Sequence, residues 1–539
     1  MKLILLQPPI QDFYHTKVRI QPIGLCYLKS AVNKYLPEVR VVVKDYHSEG
    51  GRRSLAIPKE LSYLKEYYKG PDNSPFSTFH QYYHFGASFE EAASDVAGEN
   101  PDFVGISCLF SPYHREALKC AEEIKKKIQV PIVVGGAHAS CMPGELLKHP
   151  SIDFVIRGEG EKPLVKLWKA LQNGKNLETV PNLGFKKQGR IILNPMQENF
   201  PIGRIPLPDF SDLGKDRYLF EKKPMCFMIG SRGCPYKCRF CSIHLCFGRN
   251  YRKRTAENIF EEIRHRYKEG YRVFDFEDDN LAQDPEEFKR LCTFLIKEPF
   301  PEDIRLLAMN GICYWNLDPE ILSLMKKAGF TDLNLSLVST NEALLKKVQR
   351  PFNTEKYSAI VKEAFRLGFK IVSYQILGLP GEDISSMIQT LVFNSRLPVL
   401  LGASPFYLTP GSEISRDFPL KEEDVFRSRL TAMGIETDDF TREDIYTLFV
   451  STRILNFLKG IKIYEQTTGL NGALKRARAI GKREELGAEL LEKLLQEKQL
   501  YAFVKNRLIP LPRFKYPVFR ELWNRLETIA TQQGKRINI

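Results

Sequence analysis

Apolar residues in the first 170 positions fall into two alternating patterns. Short apolar-rich runs at 2–6, 39–44, 103–107, 132–134 and 154–156 have the length and composition of buried strands. Segments 23–36 and 114–128 instead repeat apolar positions every three or four residues, the spacing of one helical face. Apolar strands separated by amphipathic helices predict an α/β fold with a doubly wound parallel sheet. Ligands of such sheets bind beyond the carboxyl ends of the strands, and this edge carries Pro8-Pro9, Asp45, Ser107, Gly135-Gly136 and Gly158.

Residues 51–95 break the alternation with many Tyr, Phe and His and the turn signal Pro71-Asp72-Asn73-Ser74-Pro75. They read as a surface insertion with its own small aromatic core, or as a substrate gate. Residues 171–222 read as a Pro-containing linker with one hairpin. A second α/β series follows, with strands at 226–229, 273–276, 305–309, 333–337, 371–376 and 401–406. Helical patterns at 256–268, 285–297, 318–328, 341–348, 355–367 and 383–395 separate them. Six strands with right-handed crossovers predict a partial (β/α)6 barrel. The expected units are therefore 1–170, the linker 171–222, a barrel over 223–420 and a mostly helical 421–539.

At 539 residues the chain exceeds a single core. No stretch approaches the roughly 18 apolar residues of a membrane span. The apolar run behind Lys2 ends at Pro8-Pro9, which suits a strand better than an export signal, so a cytoplasmic protein is expected. Net charge is +14, but its lysines and arginines are spread along helical patterns, so no nucleic-acid partner is expected. Of eleven cysteines, Cys26, Cys108, Cys120, Cys141, Cys292 and Cys313 sit singly in apolar patterns and read as buried small hydrophobes. Cys234, Cys238 and Cys241 do not. Their tight spacing reads as a metal site.

That trio lies in Ser231-Arg232-Gly233-Cys234-Pro235-Tyr236-Lys237-Cys238-Arg239-Phe240-Cys241, directly after the first strand of the second series. Electron-transfer cubanes take four cysteines, so three leave one iron open. An open iron can chelate the amino and carboxylate groups of S-adenosylmethionine, whose carbon–sulfur bond then breaks on electron transfer. A zinc site completed by His244 or Cys246 is the alternative.

Cys-x-x-x-Cys-x-aromatic-Cys in this setting resembles the radical S-adenosylmethionine superfamily. The resemblance puts Phe240 beside the adenine and assigns Asp278 or Asp279, in Phe276-Glu277-Asp278-Asp279-Asn280, to the methionine ammonium. Tyr251-Arg252-Lys253-Arg254 is similar to the family's motif after the cluster loop. Leu377-Gly378-Leu379-Pro380-Gly381-Glu382 and Pro405-Phe406-Tyr407-Leu408 resemble its later strand-end motifs, giving Gly378 a place near the adenine. Upstream, Ser107, Gly135-Gly136-Ala137-His138 and Gly158-Glu159-Gly160-Glu161 resemble the cobalamin-binding domain of one large branch, so that Ser107, Gly135, Gly136, His138, Gly158, Glu159 and Gly160 are candidate contacts to cobalamin. The match covers about residues 1–415.

Two departures stand out. Many members carry a ribose-binding Glu where this chain has Val338, which leaves Ser336 or Ser339 as substitutes. Asp45-Tyr46-His47-Ser48-Glu49-Gly50 spells a cobalt-ligand motif, but after the second strand rather than the first. No histidine ligand to cobalt is therefore expected, and His47 is assigned a surface or nucleotide-tail contact. The resemblance implies a 4Fe-4S cluster, S-adenosylmethionine, cobalamin, a small-molecule or lipid-like substrate, and an electron donor such as flavodoxin or ferredoxin. It implies a deoxyadenosyl radical that abstracts hydrogen from an unactivated carbon, followed by cobalamin-dependent methyl transfer. The alternative is cyclisation, oxidation or rearrangement without methyl transfer; a non-catalytic iron–sulfur or zinc protein is more remote. No residue is assigned as catalytic.

Overall fold

The computed structural model describes residues 1–17, 20–298, 300, 304–461 and 469–532. Its N-terminal unit runs β1 (Lys2–Gln7), α1 (Ile23–Tyr35), β2 (Arg40–Asp45), β3 (Phe103–Ser107), α2 (His114–Lys127), β4 (Ile132–Gly135), α3 (Ala137–Cys141), β5 (Phe154–Ile156) and α4 (Glu161–Gln172). The five strands pair in parallel in the order β5-β4-β3-β1-β2. The order reverses between β1 and β3, so the crevice beyond Gln7 and Ser107 is the sheet's ligand position.

The expected linker differs. Its hairpin, β6 (Leu183–Lys187) and β7 (Arg190–Leu193), pairs antiparallel with β5 and extends the same sheet to seven strands. An uncovered β5 would expose a row of unpaired backbone groups, and the hairpin satisfies them.

The central unit begins with β8 (Lys223–Met228), the short pair β9 (Ser231–Arg232) and β10 (Arg252–Lys253) around α5 (His244–Phe247), and α6 (Ala256–Lys268). It continues through β11 (Val273–Phe276), α7 (Pro285–Lys297), β12 (Arg305–Leu307), α8 (Pro319–Ala328), β13 (Asp332–Val338), α9 (Glu342–Lys347), α10 (Thr354–Arg366), β14 (Lys370–Leu377), α11 (Ile384–Ser395) and β15 (Leu400–Pro405). β8, β11 and β12 pair in parallel, as do β13, β14 and β15. Parallel bridges Leu306–Phe330 and Ile312–Leu335 join the two sets into the partial barrel. The C-terminal part is mostly helical: α12 (Arg442–Gly460), α13 (Gly469–Ile480), α14 (Lys482–Glu497) and α15 (Tyr516–Gln532), with a hairpin of β16 (Tyr501–Val504) and β17 (Arg507–Pro510).

These units share cores. One runs from Leu3, Leu5 and α1 of the N-terminal sheet into the barrel at Phe227, Phe274 and Leu335. A second joins Tyr67, Tyr68, Phe76 and Tyr82 to Met387, Tyr446, Phe457 and Trp523. The aromatic segment 51–95 therefore has no separate core; its rings are the glue between the N-terminal unit and the C-terminal helices. Among the described residues no helix is long and apolar enough to cross a membrane.

Candidate active site at the junction of the two α/β units

Cys234, Cys238 and Cys241 lie on the loop between β9 and β10, all half-buried. Burial pushes the Cys241 thiol up to about 11, with Cys238 and Cys234 close enough to raise it further. Nη1 of Arg350 donates toward Cys238 Sγ at 3.9 Å, and its Nη2 donates to the Ser336 carbonyl at 3.2 Å. Three thiols on one loop beside a guanidinium have the chemistry to hold an anionic cluster, and among the described residues no three ligating side chains yet stand close enough together to hold a metal ion. Cys313, expected in the core, is half-exposed and hydrogen-bonds Tyr236 within range of Cys234. Cys141 is likewise half-exposed and hydrogen-bonds Ser242. Both thiols line this junction because Ile312 ends a barrel segment and α3 meets the cluster loop.

Burial pushes Asp278 and Asp279 up to about 6. Asp278 accepts from Gly230 N–H (3.0 Å) and from the Ser231 hydroxyl, so it anchors the loop. Asp279 accepts only the Gly233 N–H, at 3.1 Å, among the described residues. No cation pairs with it directly, Arg232 acting only at a distance, which leaves it free to accept from an amino group. Phe240 packs against the small core of Val338, Leu379, Phe406 and Leu408. Val338 sits at φ 73° at a bulge, a strained state for a β-branched residue, and its side chain is buried there.

Several expected contacts are occupied otherwise. The Ser339 hydroxyl donates to buried Glu382 and so is turned from the site; half-buried Ser336 remains. Gly378, at φ 81°, lies where a Cβ would come within 2.8 Å of Ile445, so the C-terminal helices dictate its glycine. His138 is buried against His114 and Ser111, and burial pulls its imidazole down to about 3. Gly160 packs on Leu28. Glu159 pairs with Arg232 (2.5 Å) and Arg252 (2.8 Å) of the central unit. His47 is buried beside Phe85, not at the surface.

What remains at the sheet edge is open and apolar. Gly135 has space around its Cβ position, whereas a Cβ on Gly136, at φ 113°, would lie 2.6 Å from the Cys108 carbonyl. Past Ser107, Leu109 and Phe110 are 43% and 45% exposed, an apolar platform at the switch crevice. The cluster loop lies against this edge: α5 packs on α3, the Cys246 thiol lies beside Ser140, and a Cβ on Gly158 would sit 3.1 Å from the Cys246 carbonyl. The pairs that join the units, Arg232 with Glu159 and Glu161 foremost, escaped sequence reasoning. The visible signal was a Gly-Glu-Gly-Glu turn in one unit and arginines flanking the cysteines in the other.

A three-cysteine loop on a partial barrel, facing the carboxyl edge of a doubly wound sheet, defines an iron–sulfur enzyme with a second cofactor domain. Comparison with known families agrees: residues 228–393 match the radical SAM superfamily and residues 78–167 match a B12 binding domain. The chain thus carries a radical S-adenosylmethionine domain together with a B12-binding domain. The B12 match omits β1 and β2, which the structure shows to be part of the same sheet.

The chain is 26% identical over 478 residues to cytidylyl-2-hydroxyethylphosphonate methyltransferase of Streptomyces wedmorensis, covering 79% of this chain and 84% of that one. It is 29% identical over 289 residues to the anaerobic magnesium-protoporphyrin IX monomethyl ester cyclase of Cereibacter sphaeroides, covering 52% and 46%. Among solved structures, the cobalamin-dependent S-adenosylmethionine radical enzyme OxsB superposes with a TM-score of 0.64 at 14% identity, over 99% of this chain and 75% of that one. The radical S-adenosylmethionine methyltransferase TsrM from Kitasatospora setae gives 0.59 at 18%, over 77% and 78%. At these identities the structures speak for the fold.

Proposed function

We propose that this protein is a cobalamin-dependent radical S-adenosylmethionine methyltransferase acting at an unactivated position of a small-molecule or lipid-like substrate. The observation that carries the reading is the packing of the three-cysteine loop onto the carboxyl edge of the B12-binding sheet. Methyl transfer between two cofactors needs both reactive centres over one substrate pocket, and this junction brings the two cofactor edges together. Similarity to the phosphonate methyltransferase over most of both chains supports it. When bound, the cluster with S-adenosylmethionine supplies a carbon radical and cobalamin supplies the methyl group.

The chain's own residues bind and orient. Cys234, Cys238 and Cys241 hold the cluster, and Arg350 lies against Cys238 as a fixed positive charge. Asp279 would accept a hydrogen bond from the amino group of the methionine moiety, while Asp278 holds Gly230 and Ser231 in place. Phe240 and Ser336 border the nucleoside, and Leu109 and Phe110 offer the corrin an apolar surface. Tyr407 stands near Cys241 with its side chain partly exposed. The cyclase similarity favours, as second reading, a radical reaction without methyl transfer.

The test is anaerobic reconstitution with iron, sulfide and cobalamin, then assay of dithionite-driven S-adenosylmethionine cleavage. Deoxyadenosine is expected from the wild type and from Cys246→Ala and His244→Ala, and none from Cys→Ala at 234, 238 or 241. Stoichiometric zinc in place of iron contradicts the proposal. Deoxyadenosine without corrinoid binding favours the second reading.

A further inference from the structure

The loop that carries the cysteines leaves and re-enters the barrel through a neck only two residue pairs long, Ser231 with Lys253 and Arg232 with Arg252. Two arginines thus stand directly opposite each other on an antiparallel ladder. Like charges in that position repel, and the cost grows as water is withdrawn. Arg232 is buried, its side chain only 6% exposed, between the rings of Tyr27 and Phe247. Nothing on the loop itself neutralises the pair.

The neutralising groups come from the other unit. Glu159 Oε1 accepts from Arg232 Nη1 at 2.5 Å while its Oε2 accepts from Arg252 Nη2 at 2.8 Å, so one carboxylate bridges both guanidiniums. Glu161 accepts from the other nitrogen of Arg232 at 2.6 Å, and Asn199 donates to Glu161 at 2.7 Å. Two carboxylates balance two guanidiniums. Burial alone would raise the Glu161 carboxyl, but Arg232 holds it below the usual range, so the pairing is ionic.

We infer that Glu159, reaching from the B12-binding domain, closes the neck of the cluster loop by bridging Arg232 and Arg252, and is a positioning residue for Cys234, Cys238 and Cys241. This rests on the proposed function for the cluster's identity, but the clamp is a property of the chain alone. Removing the Glu159 charge leaves Arg232 satisfied by Glu161 and Arg252 unbalanced at its side. The neck then opens by repulsion, and deleting the Arg252 charge as well closes it again.

Two readouts test this: the rate at which a chelator strips iron from the reconstituted protein, and amide hydrogen exchange of residues 233–251 in cluster-free protein. In Glu159→Gln both rates are expected to rise about tenfold, the effect of leaving the partly buried Arg252 charge unpaired next to Arg232. Arg252→Gln alone should stay near wild type. The double variant Glu159→Gln/Arg252→Gln should return to within about twofold of wild type, because the coupled sites are not additive. Loss of an ordinary structural contact predicts instead a double variant as leaky as the single one, and that result overturns the inference, as does an unchanged Glu159→Gln. If the wild type takes up no iron, the proposed function fails, while exchange in the cluster-free chain still decides the clamp. Glu159→Asp, which keeps the charge on a shorter arm, gives an intermediate rate if the carboxylate must reach both arginines.

Discussion

Asp278 and Asp279 stand side by side after β11, both pushed up to about 6 by burial, yet their partners differ. The ionised form of Asp279 is the stronger acceptor for the N–H groups of the iron-bound amino nitrogen. Its pKa lies above the usual carboxylate value, so in the free protein the charge is present above about 6 and is lost as pH falls through it. S-adenosylmethionine affinity should therefore weaken below that pH. Asp279→Asn should cost about ten- to hundredfold, the worth of a charged hydrogen bond, and flatten the profile. Equilibrium binding to reconstituted protein between pH 5 and 8 (about the range in which such a group titrates) measures both. An unchanged profile in Asp279→Asn sinks the assignment. His47 gives a second check at this scale. It is buried beside Phe85 behind β2, so the Co(II) protein should show no imidazole coupling in paramagnetic resonance. Nitrogen splitting that vanishes in His47→Ala would contradict this. The cysteines were legible because their chemistry is written within one loop. The role of Glu159 was not, since its partner Arg232 lies 73 positions away and burial decides the pairing.

At the scale of elements, sequence reading worked where the signal is local. Thr255, Asp284, Asp318, Asn353 and Asp383 each accept a first-turn N–H, and these caps mark the starts of α6, α7, α8, α10 and α11. It failed where an edge recruits a distant partner, as β5 recruits the hairpin β6–β7. The two glycines after β4 separate binding from folding. A Cβ at Gly135 meets nothing nearer than the Ile156 carbonyl at 4.0 Å, so Gly135→Leu should leave thermal stability near wild type and block corrinoid uptake. Gly136→Ala forces a Cβ to 2.6 Å from a carbonyl at positive φ, a strain of about 2 kcal/mol, and should lower the melting temperature. Parallel melting curves and corrinoid titrations check the pair. Corrinoid binding by Gly135→Leu equal to wild type rules out that edge.

At the scale of the whole molecule, the sequence divides the chain into four segments, and the structure packs them on shared cores. Tyr67, Tyr68 and Phe76 read as an insertion's private core because their partners, Tyr446 and Phe457, lie far along the chain. The same sharing fixes the sheet edge against the cluster loop, so the two proposed cofactor sites would form one junction. That is the central claim, and one measurement addresses it directly: iron, sulfide and corrinoid quantified in a single gel-filtered, anaerobically reconstituted preparation. About four iron atoms and one corrinoid per chain, held together, are expected. Iron and corrinoid that displace one another, or a corrinoid content near zero beside a full cluster, would contradict it.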